Sequence, residues 1–336
     1  MTTTAGRTVV MGVTDDVQGQ DFRDMPFGNA LVREARLRPE IAGLSADLAR
    51  YTDMLPFAEE FPERFVNVGM AEQNLVCVAA GLAHCGYVPV ATTYAAFATR
   101  RAFDFVAIQC ASSHANVKIV AGLPGLTTGY GATHQGIDDL AHMRALPGMV
   151  VLDPCDAVDT ELATAAMLEY DGPVYMRLLR GRVPVVLGPQ TGPFEIGRAS
   201  LLCEGEDVGI VASGVMVQRA LEAAEVLESS GVHAAVLKAT SLKPFDSAAV
   251  LELARATGAL VTAENHSVVG GLFSATAECL ARNGATVPVQ PIGLQDEFGS
   301  CGSLPYLAER HGLATGDIVK AAGAAIARKH GGGAPV

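Results

Sequence analysis

The sequence predicts an α/β protein built on two parallel sheets, and three observations lead to that prediction. Along the first half of the chain, short apolar runs alternate with stretches of helical length, which is the rhythm of parallel α/β folds. The apolar runs are nearly continuous, as expected for strands that helices cover on both faces. A second alternating set follows a segment rich in proline and glycine. We therefore predict two domains and a flexible tail, at residues 1–190, 191–330 and 331–336.

The elements of the first domain follow from where these runs begin and end. The segment that starts at Phe65 is strand-like and leads into a predicted helix over Gln73–His84, which Gly86 is placed to end. A second helical pattern covers Ala98–Cys110. The remaining apolar runs predict strands at Val88–Tyr94, Asn116–Leu123, Met149–Pro154 and Val174–Leu179.

The second domain is predicted to be a smaller α/β unit. Three prolines and four glycines between Arg180 and Gly197 interrupt the first pattern, so we place the domain boundary there. Beyond it, apolar runs predict strands at Asp207–Gly214, His233–Thr240, Ala259–Glu264 and Val287–Gly293. Helical periodicity between them covers Met216–Ser230, Ser247–Thr257 and Gly271–Arg282.

Composition disfavours several classes of protein. The net charge of −12 and pI of about 5.1 give no general attraction to nucleic acid or to anionic membranes. No uninterrupted apolar run is long enough to span a bilayer, and the amino terminus lacks a signal sequence. The seven cysteines are odd in number and form no C-x-x-C pair, which favours reduced thiols. We expect a cytoplasmic protein.

Candidate site residues directly follow the predicted strands, because ligands of parallel sheets bind beyond the carboxyl ends of the strands. Glu72 lies where a strand-like run leads into an apolar helix, and a carboxylate buried there needs a partner. The simpler explanation is that the helix dipole favours a Glu in the first turn. Tyr94 and Phe97 could form an aromatic wall or pack in the core. His134, in a glycine-rich loop, could donate to a substrate oxygen or face solvent.

Two further groups carry alternative interpretations. His134, Asp138 and His142 have the spacing of metal ligands on a helix, but Gly136 is expected to precede the helix, which disfavours a metal site. Arg177 and Arg180 follow the last strand of the first domain. They could clamp an anionic substrate group or form surface salt bridges.

Five motifs, in this order along the chain, resemble the pyrimidine-binding half of a transketolase: Ser45–Ala49, Gly69–Asn74, Tyr94–Phe97, Gly131–Gly136 and Tyr175–Arg177. The segments Glu264–Leu272, Asp296–Gly299 and Gly312–Leu313 are similar to that family's carboxyl-terminal domain. The resemblance covers about residues 20 to 328. It implies a transketolase-like pyrimidine-binding domain followed by a transketolase carboxyl-terminal domain.

The resemblance also implies thiamine diphosphate as cofactor, and a two-carbon ketol transfer from a ketose to an aldose. Glu72 would bond N1′ of the aminopyrimidine as the catalytic acid, and His134 would bond a substrate oxygen. The other implied cofactor contacts are Tyr94, Phe97, Asp47 (near the subunit interface) and Arg100. The resemblance further implies that Arg177, together with Arg23, would meet a terminal phosphate. Tyr130 and Arg180 complete the predicted substrate contacts.

The chain departs from full-length transketolases in two ways. It has no Gly-Asp-Gly motif, which in that family fixes Mg²⁺ and the diphosphate. We therefore expect an amino-terminal transketolase subunit to hold them, in an α₂β₂ assembly. Tyr130 stands where many transketolases place a donor-reading Asp, so the substrate could be a sugar or a sugar phosphate.

Three alternatives remain open. The chain could be the β subunit of a 2-oxoacid dehydrogenase E1, which shares the two-domain plan and the cofactor Glu. It could be half of a 1-deoxyxylulose-phosphate synthase-like enzyme, given its Thr133-His-Gln-Gly136. It could also be a non-catalytic subunit that keeps the fold.

Overall fold

The computed structural model describes residues 20–188, 192 and 194–330. The boundary predicted after residue 190 and the tail predicted at 331–336 lie outside these residues. The strands are β1 Phe22–Asp24, β2 Ile41–Ser45, β3 Phe65–Asn67, β4 Val88–Tyr94, β5 Lys118–Gly122, β6 Val150–Leu152, β7 Val174–Leu178, β8 Arg182–Pro184, β9 Ser200–Cys203, β10 Val208–Ala212, β11 Ala234–Lys238, β12 Ser241–Lys243, β13 Leu260–Ser267 and β14 Val289–Leu294.

The helices connect these strands. They are α1 Pro26–Leu37, α2 Leu55–Glu60, α3 Glu72–His84, α4 Ala95–Arg100, α5 Phe103–Phe105, α6 Asp139–Ala145, α7 Ala157–Glu169, α8 Met216–Glu228, α9 Ser247–Thr257, α10 Leu272–Arg282, α11 Leu304–Arg310 and α12 Thr315–His330. Short 3₁₀ turns follow β2 and α2, and a π-helical turn covers Val106–Ser112.

Two sheets form the framework, which confirms the predicted fold class. The first has seven strands in the order β12-β6-β7-β5-β4-β2-β3, and the second has five in the order β14-β13-β10-β11-β9. Within each sheet the inner pairs are parallel, as the nearly continuous apolar runs indicated. Both sheets gain an antiparallel edge strand that the sequence did not predict, β12 and β9.

Strand β12 physically joins the two domains. It follows β11 of the second sheet, yet pairs with β6 at the edge of the first sheet, where Ser241 lies opposite Leu152. An apolar cluster continues the connection, since it includes Val151 of β6 together with Leu237 of β11 and Leu272 of α10. The two domains therefore pack on one another through backbone pairing and a shared apolar core.

The prediction of one continuous helix over Ala98–Cys110 is wrong in its start and in its continuity. The helical segment begins earlier, directly after β4, and is divided into α4, the one-turn α5 and the π-helical turn. The break after Arg100 lets Arg101 turn toward Glu72, while Phe103 packs on the ring of His142 at 5.2 Å. The residues on the two sides of the break therefore contact different helices, α3 and α6.

The cysteines are all free thiols. Cys110, Cys155 and Cys279 are buried, whereas Cys85 and Cys301 are exposed and the other two are half-buried. Burial raises the pKa of the Cys110 thiol to about 12, so that side chain behaves as an apolar core residue. Among the residues that the structure describes, no helix is long and apolar enough to cross a membrane.

Candidate functional site

Glu72 is the first residue of α3, and its side chain is only 5% exposed. Nη1 of Arg101 donates to Oε1 of the carboxylate at 3.0 Å, while no hydrogen bond reaches Oε2 within the described part of the chain. The helix dipole favours a carboxylate at this position, which is the simpler explanation for Glu72. The dipole does not explain why Oε2 has no hydrogen bond, and this oxygen is available to a ligand donor.

An aromatic group lies beside this carboxylate. The ring centroids of Tyr94 and Phe97 are 5.5 Å apart, and the His134 ring meets Phe97 edge-on at 5.3 Å. The Arg101 guanidinium covers the Phe97 ring, with its Cζ 3.8 Å from the centroid. A single arginine thus touches both the carboxylate and the aromatic ring. The structure brings together residues that the sequence separates by more than 60 positions.

Arg101 is the residue of this group that the sequence analysis missed. It lies four positions after Phe97, and residues at that spacing share one face of a helix. That spacing was the available signal. The neighbouring Arg100 is predicted to bind the cofactor. Its guanidinium donates to Asp138 at 2.8 to 3.1 Å and to the carbonyls of Ala132 and Gln135, so its donors hold the loop in place.

The loop Leu123–Asp138 connects β5 to α6 and carries His134, and it is called the substrate loop after the role predicted for that histidine. Thr133 Oγ1 lies 2.9 Å from Nδ1 of His134, and this contact orients the imidazole whichever nitrogen carries the proton. The exposed Tyr130 ring meets the His134 ring edge-on at 5.4 Å. The histidine therefore faces two different aromatic groups, one in its own loop and one on α4.

Asp47 follows β2 and lies beside the turn that leads to Glu72. Its backbone has a left-handed φ of 60°, which costs a non-glycine residue about 1 kcal/mol. Asn67 holds it there, because Nδ2 donates to Oδ1 of Asp47 while Oδ1 of Asn67 accepts from the amides of Asp47 and Gly69. Such strained positions often occur at functional sites.

Arg177, which is predicted to contact the substrate, lies in a buried ion-pair cluster. It is 1% exposed, and its guanidinium donates to Asp139 at 2.5 and 2.9 Å and to Asp153 at 3.4 Å. The Tyr175 hydroxyl donates to Asp139 as well, at 2.6 Å. Burial raises the pKa of Asp139, but the positive charge of Arg177 outweighs burial and holds that pKa below its ordinary value. The described bonds of the Arg177 guanidinium thus go to buried protein acceptors.

The other two predicted arginines differ in position. Arg180 is half-buried, and its buried Nε has no hydrogen-bond partner among the described residues. Burial raises the pKa of Tyr94, and the positive charge of Arg180 opposes that rise. Arg23 instead pairs with Glu161 of α7 at 2.8 Å, and no described contact joins it to the aromatic group.

The rival metal interpretation finds no support in the geometry. His134 lies in the loop, whereas His142 lies on α6, and Asp138 is engaged by Arg100. Over residues 20–188 and 194–330, no three His, Cys, Asp or Glu side chains are grouped in a way that could hold a metal ion.

Comparisons with known proteins give the family. The transketolase pyrimidine-binding domain matches residues 21–185, and the transketolase C-terminal domain matches residues 197–318. A transketolase family protein of Sinorhizobium fredii is 48% identical over 89% of this chain and 88% of its own length. The 6-deoxy-6-sulfo-D-fructose transketolase subunit SqwH of a Clostridium species is 44% identical over 90% of this chain and 94% of its own length.

A solved structure agrees with these relatives. A split-gene transketolase, determined as an inactive β4 tetramer, superposes with a TM-score of 0.85 at 46% identity, covering 91% of this chain and 98% of that one. The match extends over both sheets, so the resemblance noted in the sequence is confirmed. The chain belongs to the transketolase family and spans that family's pyrimidine-binding and carboxyl-terminal domains.

Proposed function

We propose that this chain is one subunit of a thiamine-diphosphate-dependent enzyme that transfers a two-carbon ketol unit from a ketose to an aldose. The observation that carries the proposal is the state of Glu72: a buried carboxylate with one oxygen held by Arg101 and the other unbonded, beside aromatic rings. That arrangement suits a flat heterocycle with a nitrogen that needs a carboxyl partner.

Each residue of the site then has a distinct task. Glu72 holds a proton at the N1′ atom of the aminopyrimidine, and Phe97 with Tyr94 packs on that ring. When bound, the cofactor supplies the electron sink for C–C bond cleavage. His134 bonds the carbonyl or hydroxyl oxygen of the ketose and moves a proton there. Asp47 lies at the edge of this site, where the second subunit is expected.

The terminal group of the substrate is proposed to meet Arg180. Its Nε is buried and unbonded in the described chain, which is costly unless a ligand acceptor satisfies it. An anionic sugar fits that donor, and one relative is named for a sulfonated ketose. Tyr130, 58% exposed beside His134, would contact the donor hydroxyls. Arg23, which pairs with Glu161 on α7, is not assigned a contact.

A partner subunit is proposed to supply the diphosphate and Mg²⁺ site, in an α₂β₂ assembly. One relative is named as a transketolase subunit and the similar structure as the product of a split gene. The surface beside Glu72 is suited to such a contact, because Met70 is 83% exposed and Val66 is also exposed. Exposed apolar side chains of this size at one place favour a protein interface.

The test is reconstitution with a subunit that carries the Gly-Asp-Gly motif. The mixture, with thiamine diphosphate and Mg²⁺, is expected to transfer a two-carbon unit from a ketose, whereas this chain alone is not. Glu72→Gln should stop exchange of the cofactor C2 proton, while the exposed Glu63→Gln should leave it unchanged. Exchange at the wild-type rate in Glu72→Gln would refute the assignment. Decarboxylation of pyruvate by the mixture would instead favour a 1-deoxyxylulose-phosphate synthase-like reaction.

A further inference from the structure

The substrate loop is bonded to the carboxyl-terminal domain through Gln135. This side chain is completely buried, and its Nε2 donates to the carbonyl of Thr128 in the loop and to the carbonyl of Ser300 in the other domain, both at 3.0 Å. One amide group therefore ties the two ends of the loop tip to residue 300. Gln135 is also the direct neighbour of His134, so the bond acts on the backbone that carries the imidazole.

A second contact lies at the tip of the loop. Tyr130 and Cys301 form an antiparallel bridge, and the amide of Gly302 donates to the carbonyl of Gly129 at 3.3 Å. The packing there is close, because a Cβ built on Gly131 would lie 2.6 Å from the Cys301 sulfur. Tyr130 in turn meets the His134 ring. The bridge thus connects the carboxyl-terminal domain to the histidine through one intervening ring.

The segment that makes these contacts is itself fixed in its domain. Glu297 Oε1 lies 2.8 Å from Nδ1 of His311, and the amide of Ser300 lies 3.4 Å from Nε2 of the same ring. Between them, a Cβ on Gly299 would lie 2.3 Å from Oε1 of Gln135 and 2.4 Å from Cδ2 of Leu126. A side chain at position 299 therefore requires the buried ends of Gln135 and Leu126 to shift.

We infer that residues 297–301 of the carboxyl-terminal domain are a positioning element for the ketose site, fixing Tyr130 and His134 at their distance from Phe97. The catalytic part of this inference rests on the proposed function. The structural part, that residues 297–301 hold the substrate loop, is independent of that function. Gln135 is the positioning residue on the loop side, and Gly299 is the position that permits the close approach.

The test compares Gly299→Ala with Gly323→Ala, a matched control on α12 where an added Cβ meets nothing within 4 Å. Hydrogen exchange is measured on the full chain, and ketose kinetics and cofactor affinity on the mixed subunits. In Gly299→Ala we expect amides 126–136 to exchange at least about tenfold faster, and kcat/KM for ketose to fall about 10- to 100-fold. The cofactor Kd should stay within about twofold, because Glu72 and Phe97 lie outside the loop.

Gln135→Met provides a second variant, which keeps the side-chain length and removes the amide bonds. The same faster exchange is expected in it. Wild-type exchange across amides 126–136 in both variants would overturn the inference without any reference to catalysis. So would a loss of cofactor affinity equal to the loss of kcat/KM, since that indicates general disruption. If the wild-type mixture is inactive on every ketose, the proposed function fails, and the exchange measurement still decides the role of residues 297–301.

Discussion

Replacing Arg177 with Met should destabilise this protein more than almost any other single change to a charged residue. The guanidinium makes two bonds to Asp139, one to Asp153, and further bonds to the carbonyls of Asn265 and Gly136. Removing one partner of a buried ion pair costs about 3–5 kcal/mol, because the remaining charge stays buried without compensation. Two carboxylates lose the same cation here, so we expect the upper part of that range.

The measurement is urea denaturation of the full chain, followed by circular dichroism. With a slope of about 2–3 kcal/mol per molar urea, the loss corresponds to a midpoint lowered by about 1–2 M. The matched control is Arg23→Met, which removes an exposed ion pair with Glu161. Exposed pairs contribute about 1 kcal/mol or less, so the control midpoint should hardly move. Equal shifts in the two variants would refute the reasoning.

The pH dependence gives an independent test of the same ion pair. In the wild type the pKa of Asp139 lies below its ordinary value, so its contribution to stability is present at neutral pH and is lost only in strong acid. Without Arg177, burial raises the pKa of Asp139 above its unfolded value. Protonation then relieves the buried charge as the pH falls. The destabilisation by Arg177→Met should therefore shrink as the pH falls below neutral, and a constant difference would contradict the ion-pair explanation.

Three smaller predictions concern the site. Phe97→Ala should weaken cofactor binding by about tenfold, measured by titration calorimetry of the mixed subunits, whereas His134→Ala should lower ketose kcat/KM with little change in that affinity. Tyr130→Asp should change the ratio of kcat/KM between phosphorylated and unphosphorylated ketoses, and an unchanged ratio would remove Tyr130 from the donor site. Arg101→Ala should slow exchange of the cofactor C2 proton while leaving the unfolding free energy within about 1 kcal/mol, since the Arg101 side chain is half-exposed and water can reach the space it leaves.

The inner strands of both sheets could be predicted because each is specified locally. The run Val88–Tyr94 is largely apolar, and the structure gives β4 the same bounds. The helix over Ser247–Thr257 is also as predicted, with Asp246 accepting from the amide of Ala249 and Gly258 ending it at a left-handed φ. Buried apolar patterns and capping residues are properties of the nearby sequence, so tertiary contacts are not needed to recognise them.

The edge strand β12 could not be predicted in this way. Its three residues, Ser241–Lys243, follow the end of a predicted strand and have no apolar pattern of their own. They become a strand because β6, about 90 residues away, offers an unpaired edge. The divided helix after Phe97 is a similar case. Arg101 and Phe103, next to the break, contact Glu72 and His142, which are distant in the chain.

By itself, the sequence determined the fold class, the parallel strands and the family. It also placed Glu72, Phe97 and His134 after successive strands. Only the tertiary structure decided which arginine serves which purpose. Arg100, Arg101 and Arg177 have the same side chain, and one anchors a loop, one holds the Glu72 carboxylate, and one is buried between two aspartates. The physical reason is that an arginine acts through its burial and its acceptors, and both are set by residues distant in the chain.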